Sequence, residues 1–139
     1  MKTQLEALER AWHDGIPITV PMGVRVLDYD GARLRTTAPL EANVNVHGTA
    51  FAGSLFALAA LTGWGRTWLW LRERDLPGAI VIARAEIRYA RPVTGALVAA
   101  CAAPADLLGR AATALGSAGR CRLPLTIELH AEGDDEVYA

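Results

Sequence analysis

Residues 49–74 form the longest apolar run in the chain, and this run limits the folds that the chain can adopt. It is too long for one strand and predicts a long helix, with Arg72, Glu73 and Arg74 placing charge at its last turn. Because the run is apolar on nearly every side, its helix must be surrounded either by other parts of the protein or by lipid.

A membrane-spanning helix is the alternative, since about 20 apolar residues cross a bilayer. Arg66 lies in the middle of the run, where insertion into lipid costs about 2.5–3.5 kcal/mol. Gly53, Gly63 and Gly65 lower the intrinsic stability of the helix. Strand patterns lie on both sides of the run, and a sheet curling around a central helix would explain them. The sequence therefore favours a protein-covered helix.

Alternation of apolar and polar residues predicts strands before and after the helix. Before it, residues 20–29 and 32–36 alternate, and Asp30-Gly31 between them predicts a hairpin turn. After it, four further strands are predicted, the last of them only begun: 80–91, 96–102, 120–132 and 134–139.

Two shorter helices complete the predicted pattern. The spacing of Leu5, Leu8 and Trp12 predicts an amphipathic helix near the N-terminus. Pro104 begins a second helical patch. Strands in one layer with one long helix across them indicate an α+β architecture, and residues 1–139 are expected to form a single domain.

The composition argues against several classes of function. The chain has 139 residues, 52% hydrophobic and 21% charged, as expected of a folded globular protein. A net charge of −1 gives no electrostatic footprint for nucleic acid or for an anionic membrane. Cys101, Cys121 and three scattered histidines lack metal-ligand spacing, so no metal is expected. The N-terminal residues do not resemble a signal peptide, and with free thiols this predicts a cytoplasmic location.

Two segments resemble a known family. Residues 43–55 (NVNVHGTAFAGSL), followed by LTGWG at 61–65, resemble the YiiD C-terminal-domain-like family of thioesterases with a hotdog fold. IRYARPVTG at 87–95 resembles a strand-turn pattern shared among hotdog thioesterases. The resemblance covers the chain from about residue 20 to residue 132. It implies a hotdog domain that hydrolyses acyl-CoA or acyl-carrier-protein thioesters and assembles as a homodimer or homotetramer.

Better-characterised relatives carry the pattern N-x-x-G-T-x-H-G-G at the start of the central helix. Asn45, Gly48, Thr49 and Gly53 fall at matching positions. The resemblance implies that Asn45 holds the thioester carbonyl or the attacking water. It also implies that the backbone N–H groups of Ala52 and Gly53 stabilise the oxyanion.

The chain departs from that pattern in two places. Phe51 and Ala52 stand where relatives carry the histidine and the first glycine, and Ala60 stands where many relatives carry an acid on the helix. The usual general base is therefore in doubt. His47 lies in the same loop as Asn45, and histidine is the side chain that most often serves as a general base, which makes His47 the candidate base.

Thioester hydrolysis by direct attack of water is the predicted reaction, with acyl-CoA or acyl-phosphopantetheine as the substrate and no cofactor. A hotdog hydratase or dehydratase is one alternative, although it needs a carboxylate that His47 lacks. A non-catalytic acyl or lipid binder is the other, and Ala60 makes it credible. The remaining candidates for substrate binding are residues near the motif and two arginines that could meet CoA phosphates: Asn43, Gly48, Thr49, Ser54, Arg88 and Arg91.

Overall fold

The structure is a computed structural model, and it describes residues 2–134. A short helix, a hairpin and the long central helix follow one another as predicted, with a short 3-10 turn at Glu41–Asn43. The elements are α1 (Lys2–Gly15), α2 (Thr19–Met22), β1 (Arg25–Tyr29), β2 (Arg33–Ala38), α3 (Ala52–Glu73), β3 (Leu97–Ala102), α4 (Ala105–Ala118) and β4 (Ile127–Ala131). The predicted α+β architecture with one long central helix is confirmed.

The four strands form an antiparallel sheet in the order β1-β2-β3-β4. Leu34 lies opposite Cys101 and Ala38 lies opposite Leu97, and all four side chains are buried. Because side chains alternate between the two faces of a strand, this register gives the sheet one continuous apolar face. Helix α3 packs on β2, β3 and β4 of that sheet.

A buried hydroxyl pair joins α3 to the sheet. The hydroxyl oxygens of Thr36 and Thr62 are 2.7 Å apart, and both residues are fully buried. The Thr62 hydroxyl donates to the carbonyl of Leu58, so Thr36 donates to Thr62. Both donors are therefore satisfied, as buried polar groups require.

Arg66 is only 2% exposed, although it lies within the apolar helix. Its Nε donates to the carbonyl of Ala32 at 2.8 Å and its Nη2 to the carbonyl of Gly31 at 3.3 Å. The guanidinium also lies over the ring of Tyr29, 5.4 Å from its centroid. The guanidinium of Arg66 thus binds the backbone of the β1–β2 turn. No helix within residues 2–134 is long and apolar enough to cross a membrane.

A second apolar cluster covers the C-terminal part of α3. Leu108 and Ala111 of α4 pack there against Trp70 and Leu71. Helix α4 begins after Pro104 as predicted, and a left-handed Gly119 ends it.

The first predicted strand is shorter than expected. Residues 19–22 form α2, and the strand begins at Arg25. Gly23 ends α2 with φ +72°, and a Cβ at that position would lie 2.8 Å from the Pro39 ring. The glycine therefore allows a sharp change of direction between α2 and β1.

The predicted strand at 120–132 is also too long, because β4 covers only Ile127–Ala131. Its ladder with β3 runs from Leu97 opposite Ala131 to Cys101 opposite Ile127. Strand β3 then ends and the chain enters α4, which leaves residues 120–126 without a ladder partner there. The strand predicted to begin at 134 lies, apart from Asp134, outside the described residues.

The prediction of a strand at 80–91 is wrong. Residues 79–91 form neither helix nor strand, and Val81 is 82% exposed. The preference of β-branched residues for strands reflects how well their side chains pack against neighbouring strands on a pleated surface. Among residues 2–134 no strand pairs with this segment, so its composition alone does not make it a strand.

Gly65 allows α1 to approach α3 closely, and this gives a test of the packing. A Cβ at Gly65 would lie 2.7 Å from the Trp12 ring, 3.2 Å from Leu34 and 3.3 Å from Leu8. We expect Gly65→Ala to lower the free energy of unfolding by about 1–3 kcal/mol through overpacking. Urea denaturation followed by tryptophan fluorescence measures the change.

The matched control is Gly109→Ala in the interior of α4, where nothing lies within 4 Å of the added Cβ. Its expected effect is stabilisation of up to about 1 kcal/mol, because alanine is the better helix former. Equal effects of the two substitutions would contradict the close approach at Gly65.

Candidate active site at the start of α3

Residues 44–50, called here the motif loop, form a small hairpin immediately before α3. Val44 and Ala50 make a β-bridge, and the Asn45 amide donates to the Thr49 carbonyl at 2.7 Å. Gly48 has φ +80°, and its amide donates to the Asn45 carbonyl at 3.1 Å. A left-handed residue is needed to close so tight a loop, which explains the glycine.

The Asn45 side chain holds the motif loop in shape. Its Oδ1 accepts from the amides of His47 at 2.8 Å and Thr49 at 3.1 Å. Its Nδ2 donates to the Thr49 hydroxyl at 2.8 Å and to the Ala50 carbonyl at 3.3 Å. Both Nδ2 hydrogens are therefore engaged within the loop, and a bond to a substrate carbonyl would have to replace one of these contacts.

Asn43 anchors the base of the loop and is 2% exposed. Its Nδ2 donates to the carbonyls of Met22 and Pro39 at 2.9 and 2.8 Å. Its own carbonyl accepts from the Phe51 amide at 2.7 Å. Asn43 thus fixes the residue that begins the helix, and its side chain lies inside the protein.

The first turn of α3 has backbone donors that lack an intrahelical acceptor. Phe51 is the N-cap and makes no side-chain capping bond. The amide of Leu55 donates to the Phe51 carbonyl at 3.1 Å, so the amides of Ala52 and Gly53 precede the first intrahelical bond. Both residues are exposed. The aligned dipoles of a 22-residue helix add partial positive charge at this end, which favours an anion.

Two aromatic residues lie against this turn. The Phe51 ring folds back over Gly53, with its nearest atom 2.5 Å from the place that a Cβ would occupy. Gly53 is therefore the one residue type that fits beneath this ring as it lies. The phenol of Tyr89 donates to the Ala52 carbonyl at 3.0 Å. Sequence reasoning missed Tyr89, although it lies within the IRYARPVTG segment.

The other predicted residues are placed as follows. His47 is exposed at the tip of the motif loop, beside Val46, which is 95% exposed. Ser54 is half-buried in the first turn of α3, and Arg88 and Arg91 are exposed on the segment that carries Tyr89. No group of three His, Cys, Asp or Glu side chains in residues 2–134 could hold a metal ion.

A groove of about 420 Å³ lies against the C-terminal half of α3. Trp64 and Trp68 form one wall with stacked rings, and Leu76 and Ile80 lie in the opposite segment. With a rise of about 1.5 Å per residue, Trp64 is about 18 Å along the axis from Ala52. The groove is therefore separate from the exposed amides at the start of the helix.

The family described as "Putative thioesterase (yiiD_Cterm)" matches residues 5–138 of the chain. The chain belongs to this family. Its YiiD_C membership agrees with the motif in residues 43–55 and supports thioesterase activity in general.

Solved structures agree with this assignment. The putative thioesterase from Shewanella oneidensis is 33% identical, with a TM-score of 0.84 over 99% of this chain and 92% of its own. A protein of unknown function from Chlorobaculum tepidum TLS is 32% identical, with a TM-score of 0.89 over 92% of this chain and 79% of its own. A thioesterase from Haemophilus influenzae shares the fold at 16% identity, with a TM-score of 0.69 over 96% of this chain and 82% of its own. The predicted hotdog fold is confirmed.

Proposed function

We propose that this YiiD_C protein hydrolyses acyl thioesters of coenzyme A or acyl carrier protein by direct attack of water at the start of α3. The observation that carries the proposal is the pair of amides at the exposed residues Ala52 and Gly53, which precede the first intrahelical bond of α3, in a chain that belongs to a thioesterase family. Backbone N–H groups can stabilise negative charge on the substrate without help from a catalytic side chain.

The chemistry follows from the position of these amides. The thioester carbonyl oxygen accepts from the N–H groups of Ala52 and Gly53, and water attacks the carbonyl carbon. The oxygen gains charge in the tetrahedral intermediate, where fixed donors stabilise it more than in the ground state. The leaving thiolate has a pKa of about 8.5 by analogy with cysteine, so it needs little help from a general acid.

We propose His47 as the group that accepts the proton of the attacking water. It lies two residues after Asn45 and is exposed at the tip of the motif loop. Ala60 lies where many relatives carry an acid, seven residues past Gly53 or about 10 Å along the axis. It cannot serve as the base, because an alanine side chain has no proton acceptor.

The other candidate residues take supporting roles in this proposal. Asn43, Gly48 and Thr49 shape the motif loop through the bonds described above, and Asn45 fixes the carbonyl or the water either directly or through that loop. Ser54 is proposed to bind substrate in the first turn of α3, where its amide follows those of Ala52 and Gly53. The exposed guanidinium groups of Arg88 and Arg91 are proposed to meet the phosphates of CoA. No other cofactor is proposed, and the free thiols Cys101 and Cys121 fit the proposed cytoplasmic setting.

We propose that the acyl chain lies along α3. Gly53, Ala57, Ala60 and Trp64 lie on one side of the helix by their spacing and are exposed or half-buried. The small side chains leave room beside the first three turns, and Trp64 begins the groove at the far end. This arrangement favours long acyl chains over short ones.

Release of free thiol from acyl-CoAs of rising chain length tests the reaction. We expect turnover that increases from acetyl-CoA to palmitoyl-CoA. His47→Ala should lower kcat at least about 10-fold, since general-base catalysis contributes about 10²–10⁴-fold. The adjacent Val46→Ala is the control and should leave kcat unchanged. The thiol reagent also reacts with free cysteines of the protein, and this background must be subtracted. Burial raises the pKa of the Cys101 thiol to about 11, so Cys121 is expected to give most of that background.

Two further variants separate the roles in the loop. Asn45→Asp keeps the acceptor for the amides of His47 and Thr49 but loses both donors, whereas Asn45→Ala loses all four bonds. Equal loss of kcat in the two variants indicates that the Nδ2 donors are required, and a milder loss in Asn45→Asp indicates that the Oδ1 contacts with the loop amides contribute. Binding of acyl-CoA with no turnover across the panel would contradict the proposal and favour an acyl binder.

We also propose a homodimer, in which residues 79–91 pair with a second copy of the chain. Val81 and Ile82 are 82% and 51% exposed, and such β-branched side chains fit a strand with neighbours. Sedimentation equilibrium should give about twice the 14.8 kDa chain mass. Ile82→Lys should shift the protein toward monomer, whereas the control Ile18→Lys, at an isoleucine that is 62% exposed, should not. A monomeric wild type would contradict the pairing, and a fourfold mass would indicate a homotetramer.

A further inference from the structure

We infer that Tyr89 is a positioning residue of this site, whose hydroxyl orients and polarises the peptide that carries the Gly53 N–H. The inference rests on the proposed function, because it concerns the donor that stabilises the oxyanion. It adds to the site a side chain that lies 37 positions from Ala52 in the sequence.

The contact that carries the inference is the bond from the Tyr89 phenol to the Ala52 carbonyl, at 3.0 Å. The Ala52 carbonyl and the Gly53 N–H are the two ends of one peptide unit. That unit is planar and trans, so the two groups point in opposite directions. A donor that holds the carbonyl therefore fixes the direction of the N–H.

The same bond also strengthens the donor. A carbonyl oxygen has two lone pairs, so the Ala52 carbonyl can accept the helical bond from the fourth residue on and the phenol as well. Hydrogen bonds in series polarise one another, by about 10–30% per bond. Withdrawing electron density at the Ala52 oxygen makes the Gly53 N–H a better donor to a developing oxyanion.

The peptide is restrained from its other side as well. The Phe51 ring occupies the space that a Cβ of Gly53 would take, while the Tyr89 phenol contacts the Ala52 carbonyl. Glycine is the most flexible residue, and these two contacts limit the freedom of this part of the backbone. Tyr89 is 45% exposed.

Tyr89→Phe tests the inference because it removes the hydroxyl and keeps the ring. We expect kcat for palmitoyl-CoA to fall about 5-fold, the typical value of one hydrogen bond, with KM within twofold of wild type. The effect falls on kcat because the oxyanion develops only in the transition state and the tetrahedral intermediate, and not in the bound substrate.

Two substrate analogues distinguish positioning from packing. A trifluoromethyl ketone analogue of palmitoyl-CoA presents an oxyanion-like oxygen, and its Kd should rise about 5-fold in Tyr89→Phe. An S-alkyl thioether of CoA has no carbonyl oxygen, and its Kd should stay unchanged. A role in packing alone would weaken both ligands equally.

Tyr29→Phe is the matched control. Its hydroxyl bonds Glu73 at 2.8 Å, at the last residue of α3 and about 30 Å along the axis from Gly53. It should lower the stability of the protein without changing kcat. A Tyr89→Phe enzyme with the kcat of wild type, or with both ligands weakened equally, would overturn the inference alone. A folded wild type that hydrolyses no thioester would overturn the proposed function and the inference together.

Discussion

The burial of α3 is the constraint on which the rest of this structure depends. The helix is apolar on nearly every side, and each fully buried leucine in it stabilises the fold by about 1.5–3 kcal/mol. The sheet covers one side, α1 covers another at Gly65, and α4 covers the C-terminal part. With its body held in this way, the start of the helix lies exposed beside the motif loop. Packing therefore determines where the backbone donors are presented.

A site made of backbone amides tolerates unusual side chains. Ala52 offers the same N–H as the glycine that relatives carry, and Phe51 replaces a histidine without removing an amide. What the backbone cannot supply is a proton acceptor, and Ala60 leaves that role unfilled on the helix. In the proposed mechanism, His47 of the motif loop takes that role.

Local patterns were sufficient for the elements whose partners lie nearby. The apolar run predicted α3, and Asp30-Gly31 predicted the β1–β2 hairpin. The segment at 80–91 could not be predicted in the same way, because a strand depends on a neighbour and composition does not reveal whether one is present. At the site, Asn45 was recognised by its motif, but its bonds within the loop are visible only in three dimensions. Tyr89 was missed because its role arises from a contact with a residue distant in sequence.

The central claim is that the thioester carbonyl binds at the start of α3. A crystal structure with the trifluoromethyl ketone analogue of palmitoyl-CoA tests it most directly. The ketone-derived oxygen should lie about 2.7–3.1 Å from the backbone nitrogens of Ala52 and Gly53. An oxygen bound elsewhere, for example in the groove beside Trp64, would contradict binding of the carbonyl at the start of α3.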